Sequence, residues 1–179
     1  MTKSLAAELE LLANRMTSED AGNQQLSIPA LAERIAKNLN VKSEEVAILV
    51  ISEKQRSLQF LVPGALSNVG SIPLSSTSAL AARTARESRP DILNNFTSVR
   101  HATVFEAVKA DSLSANVIQK IISAPILCEG KVIGVIQISR KGSSAAEAGP
   151  DFTPGDLGNV LAICKPLGKL IRHAAGTGN

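Results

Sequence analysis

The sequence predicts an α+β fold in which an antiparallel sheet is covered on both faces, and three observations carry that prediction. Residues 119–141, QKIISAPILCEGKVIGVIQISRK, are two apolar runs separated by Glu129-Gly130, a two-residue loop ending in Gly that sets a hairpin. Upstream, residues 45–52 and 57–62 form a second pair of strand-like runs across the charged turn 53–56. Helically periodic segments stand near both ends of the chain.

The central hairpin justifies the covered sheet. With Cys128 opposite Lys131, the expected pairs are Leu127/Val132, Ile126/Ile133, Pro125/Gly134 and Ala124/Val135. Side chains alternate along a strand, so one face would carry Ile121, Ser123, Pro125, Leu127, Val132, Gly134, Ile136 and Ile138. The other would carry Lys120, Ile122, Ala124, Ile126, Ile133, Val135, Gln137 and Ser139. Both are apolar near the turn, as expected of a sheet with no wet side, and the second becomes polar at its open end. Pro125 has no N–H to donate, which implies a bulge or a short neighbouring strand on its outer side.

Taken in order, Leu5, Leu9, Leu12 and Met16 mark an amphipathic helix over residues 3–16, followed by a polar linker over 17–25. Ser27 is suited to cap a helix over 28–39, with Leu31, Ile35 and Leu39 as its buried stripe and Asn40 in the left-handed conformation at its end. Residues 71–74 are extended. A helix over 79–88 follows, capped by Ser76 or Ser78, with Arg83, Arg86 and Arg89 as a solvated basic face. Residues 91–94 form a short strand, and 95–110 are chemically mixed, with His101 and Phe105 on one side of a helical turn. Near the C-terminus Thr153 caps, Pro154 takes the first helical position and Asp156 the third, with Phe152 stapled to Leu157. That helix runs to about His173 with Leu157, Leu161, Cys164 and Ile171 inward, and Pro166 is expected to kink or divide it.

Composition narrows the function. Nineteen basic and sixteen acidic residues leave a net charge of +3, too small to imply a phosphate-binding surface. There is no Trp or Tyr and only four Phe, so the stacking platforms that hold single-stranded nucleic acid are missing and no nucleic-acid partner is expected. No stretch has the apolar length of a membrane span, and residues 1–4 do not begin a signal peptide, which predicts a cytoplasmic protein without membrane contact. Cys128 and Cys164 read as buried structural thiols. Neither paired carboxylates, metal-spaced His/Cys clusters nor a nucleophile with a base can be picked out, so no enzyme and no cofactor is expected.

The entry helix LAERIAKNL, the hairpin VAILVISEKQRSLQFLV, the segment SIPLSSTSALAARTARESRPDILNN, and SAPILCEGKVIGVIQISRK followed by FTPGDL together resemble a GAF domain. The resemblance implies a GAF/PAS-like α+β fold. Its central sheet would have five or six antiparallel strands, with the N- and C-terminal helices on one face and short helices and loops around a small-molecule pocket on the other. On this basis residues 1–27 form an N-terminal helix and linker, 28–174 the domain and 175–179 a tail. The pocket would draw on Phe96, Arg100, His101, Phe105, Lys120, Ile122, Gln137 and Ser139.

Specialised roles known for such domains find no match. The cyclic-nucleotide pattern is absent, no cysteine lies near His101 for a bilin, and Cys128 and Cys164 stand in the wrong elements for a methionine-sulfoxide reductase. The expected function is a stand-alone sensing or regulatory module for an unknown small molecule, anionic or polar, acting through a protein partner or oligomer state. The alternative is a dimerisation or scaffold module with a side-chain-filled pocket, a homodimer forming through apolar stripes on the terminal helices.

Overall fold

A computed structural model describes residues 4–17, 27–67, 70–96 and 117–176. Helices α1 (Leu5–Thr17) and α2 (Ile28–Leu39) precede strands β1 (Val46–Ser52), β2 (Ser57–Val62) and β3 (Ser71–Pro73). Helix α3 (Leu80–Glu87), the short strand β4 (Asp91–Leu93) and the long strands β5 (Val117–Cys128) and β6 (Lys131–Gly142) follow. A single turn α4 (Ala145–Ala148) leads to the final helix α5 (Pro154–Gly176), which is continuous through Pro166 and not divided there.

The six strands form one antiparallel sheet in the order β3-β2-β1-β6-β5-β4. Glu129 and Gly130 both take positive φ, 53° and 77°, as a two-residue hairpin loop requires. The pairs Cys128/Lys131 and Leu127/Val132 form as expected. Beyond them the register slips, and Ile126 pairs with Gly134 in place of Ile133, because Ile133 is an extra residue bulged out of β6. Pro125 therefore faces Val135 and Ala124 faces Ile136. One inserted residue inverts the parity of everything that follows. The outer neighbour of Pro125 is indeed short: β4 pairs only with Ile121, Ile122 and Ser123, so the proline lies past its end and no ladder bond is lost.

The inversion corrects the expected faces. Ile122, Ala124 and Ile126 share a face with Ile136 and Ile138, and on it they join Val46 and Ile48 beneath α1, α2 and α5. Val135 packs on the opposite face with Ala47, Leu49, Leu58 and Phe60, under the alanine stripe Ala81, Ala82 and Ala85 of α3. All three long helices thus cover one side, and α3 covers the other.

Local signals place the helices. Ser27 Oγ accepts from Ala30 N–H and caps α2, which ends at Asn40 with φ 55° and ψ 47°. Thr153 and Asp156 form a reciprocal capping box, Thr153 Oγ1 accepting at 3.2 Å and Asp156 Oδ2 at 2.8 Å. Ser76 Oγ accepts from Ala79 N–H, just ahead of α3. The arginines of α3 are more engaged than a solvated basic face would be. Arg83 pairs with Asp91 at 2.6 Å, and Arg86 donates to the Leu74 and Ser76 carbonyls, holding the loop before the helix.

Helix α1 does not hold its apolar stripe open for another molecule. Leu5, Leu9, Ala13 and Met16 are buried in the chain's own core, and Glu10 pairs with Lys169 of α5 at 2.5 Å. Leu161, expected inward, is 39% exposed, while Val160, Ile163, Cys164, Leu167 and Leu170 turn into the core. Leu161 precedes Cys164 by three residues, about 60° round the helix, and so falls outside the edge of the buried stripe.

Candidate functional site

Two polar features interrupt the apolar core, and each answers a different part of the expected site. Under α3, Ser123 Oγ lies 2.7 Å from Thr84 Oγ1 and accepts from Gln137 Nε2 at 3.2 Å. Thr84 is also bonded to the Leu80 carbonyl. Ser139, on the same face, donates to the Glu45 carbonyl at 3.3 Å. Phe96 is buried nearby with Leu80, Ile118 and Ile121. Of the eight expected residues, Phe96, Gln137 and Ser139 therefore share the α3 side. Gln137 bonds the Ser123 hydroxyl and Ser139 a backbone carbonyl, and the alanines of α3 seat the helix close to the sheet.

The second feature holds Lys120, on the opposite side. The bulge at Ile133 sets Lys120 across from Arg140 at the sheet's end, on the side of α5. Lys120 Nζ donates to the Gly149 carbonyl at 2.6 Å and pairs with Asp151 at 2.8 Å. Arg140 donates to the Pro150 carbonyl at 2.5 Å, and its guanidinium lies 4.4 Å from the centre of the Phe152 ring. Asn94 completes the fastening through both backbone groups of Phe152. Two adjacent buried cations are tolerated because each is turned onto carbonyl oxygens of the same loop. Ile122 belongs to this side too, wholly buried against the helices. The expected grouping of Lys120 and Ile122 with Gln137 and Ser139 is thus split by the sheet. Arg100, His101 and Phe105 lie outside the described residues.

Sequence reasoning missed two features that depend on distant segments. Glu45, only 6% exposed, accepts from the backbone N–H groups of Lys42 and Lys141, pinning the turn before β1 to the end of β6. The other is a groove of about 610 Å³ on the helix side, within the size range of small-molecule sites. Its floor is aliphatic, from Ile28, Val50, Leu61, Ile133 and Ile171. Its rim carries Glu53 and Lys131 from the two hairpin turns, and Cys128, Glu129 and Arg172 where α5 passes the β5–β6 turn.

The rim charges are paired. Lys131 bonds Glu53 and holds its carboxyl below the ordinary carboxylate value. Arg172 Nη1 reaches Cys128 Sγ at 3.6 Å and Glu129 at 2.6 Å, and these contacts hold the guanidinium's pKa above its ordinary value. Among the described residues no group of three His, Cys, Asp or Glu is placed to hold a metal ion, and no helix is long and apolar enough to cross a membrane.

Neither cysteine forms a disulfide. Burial in the core pushes the Cys164 thiol from 9.0 to about 12. Below pH 9 the thiol is protonated in folded and unfolded chains alike; above it only the unfolded chain ionises, so stability falls as pH rises toward 12. The wild type should lose about 1 kcal/mol more than Cys164→Ala between pH 9 and 10. Urea midpoints at the two pH values measure it, and equal losses would show that Cys164 ionises in the folded chain.

The GAF domain family profile matches residues 27–171, and the chain belongs to that family, whose members are mainly sensory and regulatory modules. Solved structures agree on the fold. The GAF domain from an Acinetobacter phosphoenolpyruvate-protein phosphotransferase is 16% identical, with a TM-score of 0.66 over 100% of this chain and 99% of that one. The corresponding domain from Coxiella burnetii is 12% identical, with a TM-score of 0.64 over 98% and 99%. A free methionine-R-sulfoxide reductase from Neisseria meningitidis, solved with its substrate, is 15% identical with a TM-score of 0.57 over 99% and 96%. The fold therefore serves enzymes as well as regulators. No curated protein is a significant match to the chain.

Proposed function

We propose that this chain is a regulatory module that senses a small molecule in the groove between the two hairpin turns and the end of α5, and acts through a partner or its oligomeric state. The observation that carries the reading is the groove itself: a concave aliphatic floor with a few convergent polar groups, the usual composition of a ligand site. Its back wall is the end of α5, the helix on which α1 packs, so occupancy would bear on the elements at both ends of the domain. A catalytic reading has less support, since Cys164 is protonated and buried.

A thermal-shift screen of metabolites tests the proposal, comparing wild type with Ile133→Trp, which fills the groove from a partly buried position. A compound should raise the Tm of the wild type and leave the variant unmoved. Equal shifts in both, with native circular dichroism in the variant, would place the ligand elsewhere.

A second reading, a dimerisation module, rests on Leu11 and Leu161, which expose 43% and 39% of their surface on the terminal helices. Light scattering on Leu11→Glu/Leu161→Glu would show a monomer if these residues form an interface, and an unchanged mass would remove them from it.

A further inference from the structure

We propose that the ligand class of the groove is an amphipathic carboxylate, an aliphatic chain lying on the floor with its head on Arg172; this rests on the groove being the ligand site. The floor contributes only branched aliphatic side chains and no aromatic ring, a surface that gains from burying methylenes and offers no stacking partner to a planar base or ring.

The head group follows from how the rim charges are held. Arg172 is located from two sides, by Cys128 at 3.6 Å and by Glu129 at 2.6 Å, and both contacts use Nη1. Among the described residues Nε and Nη2 make no protein hydrogen bond, which leaves an edge of the guanidinium able to take a carboxylate through two parallel bonds. The acids are placed less firmly. Glu129 is 78% and Glu53 71% exposed on hairpin loops, each tethered by one ion pair of the kind worth about 0–1 kcal/mol. A ligand carboxylate can therefore share or replace Glu129 on Arg172 at little cost, whereas an amine would have to collect exposed acids that already hold cations. Preorganised donors favour the anion.

The direct experiment is calorimetric titration of the full chain with hexanoate, octanoate and decanoate, and with decanol and decylamine. Affinity should rise about fourfold per added methylene. Decanoate should bind at least tenfold tighter than decanol or decylamine, and Arg172→Gln should remove that advantage while leaving decanol unchanged. Lys131→Gln, on the other ion pair, should change decanoate binding less than Arg172→Gln. If decanol matches decanoate and Arg172→Gln changes neither, the head-group assignment is overturned, although the groove remains an apolar site. If decylamine binds best, the rim selects cations and the proposal is wrong. If no acid binds, yet a screened metabolite stabilises wild type and not Ile133→Trp, the carboxylate class fails alone. If that metabolite test fails as well, the groove reading falls with it.

Discussion

Gly168→Ala should lose about 3 kcal/mol of folding stability, while Gly158→Ala in the same helix should gain about 1 kcal/mol. A Cβ on Gly168 would stand 2.3 Å from the carbonyl oxygen of Leu127 and 3.1 Å from its carbon, where α5 crosses β5. The obstacle is strand backbone one residue from the β5–β6 turn, so relief requires α5 to move away from the strand whose Ile126 it helps to bury. Cores resist such displacement because their packing has no slack. At Gly158 nothing lies within 4 Å of the added methyl, and the substitution acts only through helix propensity and the entropy of the unfolded chain. Urea unfolding of both variants makes the comparison internal to one helix. A Gly168→Ala midpoint equal to wild type would mean that α5 does not approach β5 as closely as described.

Gly134→Ala should cost as much, about 3 kcal/mol, by the same overpacking but in a different layer. Its Cβ would lie 2.3 Å from the carbonyl oxygen of Leu49 and 3.5 Å from the Cα of Val50 on the neighbouring strand. Gly134 sits between Val50 and Ile126, next to the residue bulged out of β6, and has strands on both sides. Neither strand can yield without breaking ladder bonds. A folded, wild-type-like Gly134→Ala protein would show instead that the bulge can relax.

What could be read from the sequence was what short-range chemistry determines. Ser27 and Thr153 cap because a hydroxyl two or three residues ahead needs no information from elsewhere. Glu129-Gly130 closes the hairpin for the same reason, and the two pairs nearest the turn follow. Family resemblance extended this to the sheet and to the helices sharing one face. The site was less legible. Ile133 looks like any strand residue, and its displacement arises from the joint demands of Gly134 beside Leu49 and of the core on both faces. From that one position Lys120 and Gln137 come to lie on opposite sides of the sheet. The groove was out of reach altogether, because Ile28, Glu53, Lys131 and Arg172 come from four segments that only tertiary packing brings together. Leu161 errs in the other direction, an apolar residue left on the surface.

The extra residue at Ile133 also bears on which changes in length this chain can absorb. Alternation makes a strand a two-letter rhythm, and β6 carries one additional beat between its turn and its centre. Removing that beat would leave every pair from Ile126/Gly134 outward as it is, whereas keeping it and adding another between Gly134 and Ile136 would exchange inside and outside for the rest of the strand, sending Gln137 and Ser139 under α5 and Ile136 and Ile138 under α3. A gain of one residue beyond the bulge would thus be felt as a wholesale exchange of surfaces, while a loss at Ile133 would not. The hairpin can give up one residue at its bulge and keep its two faces.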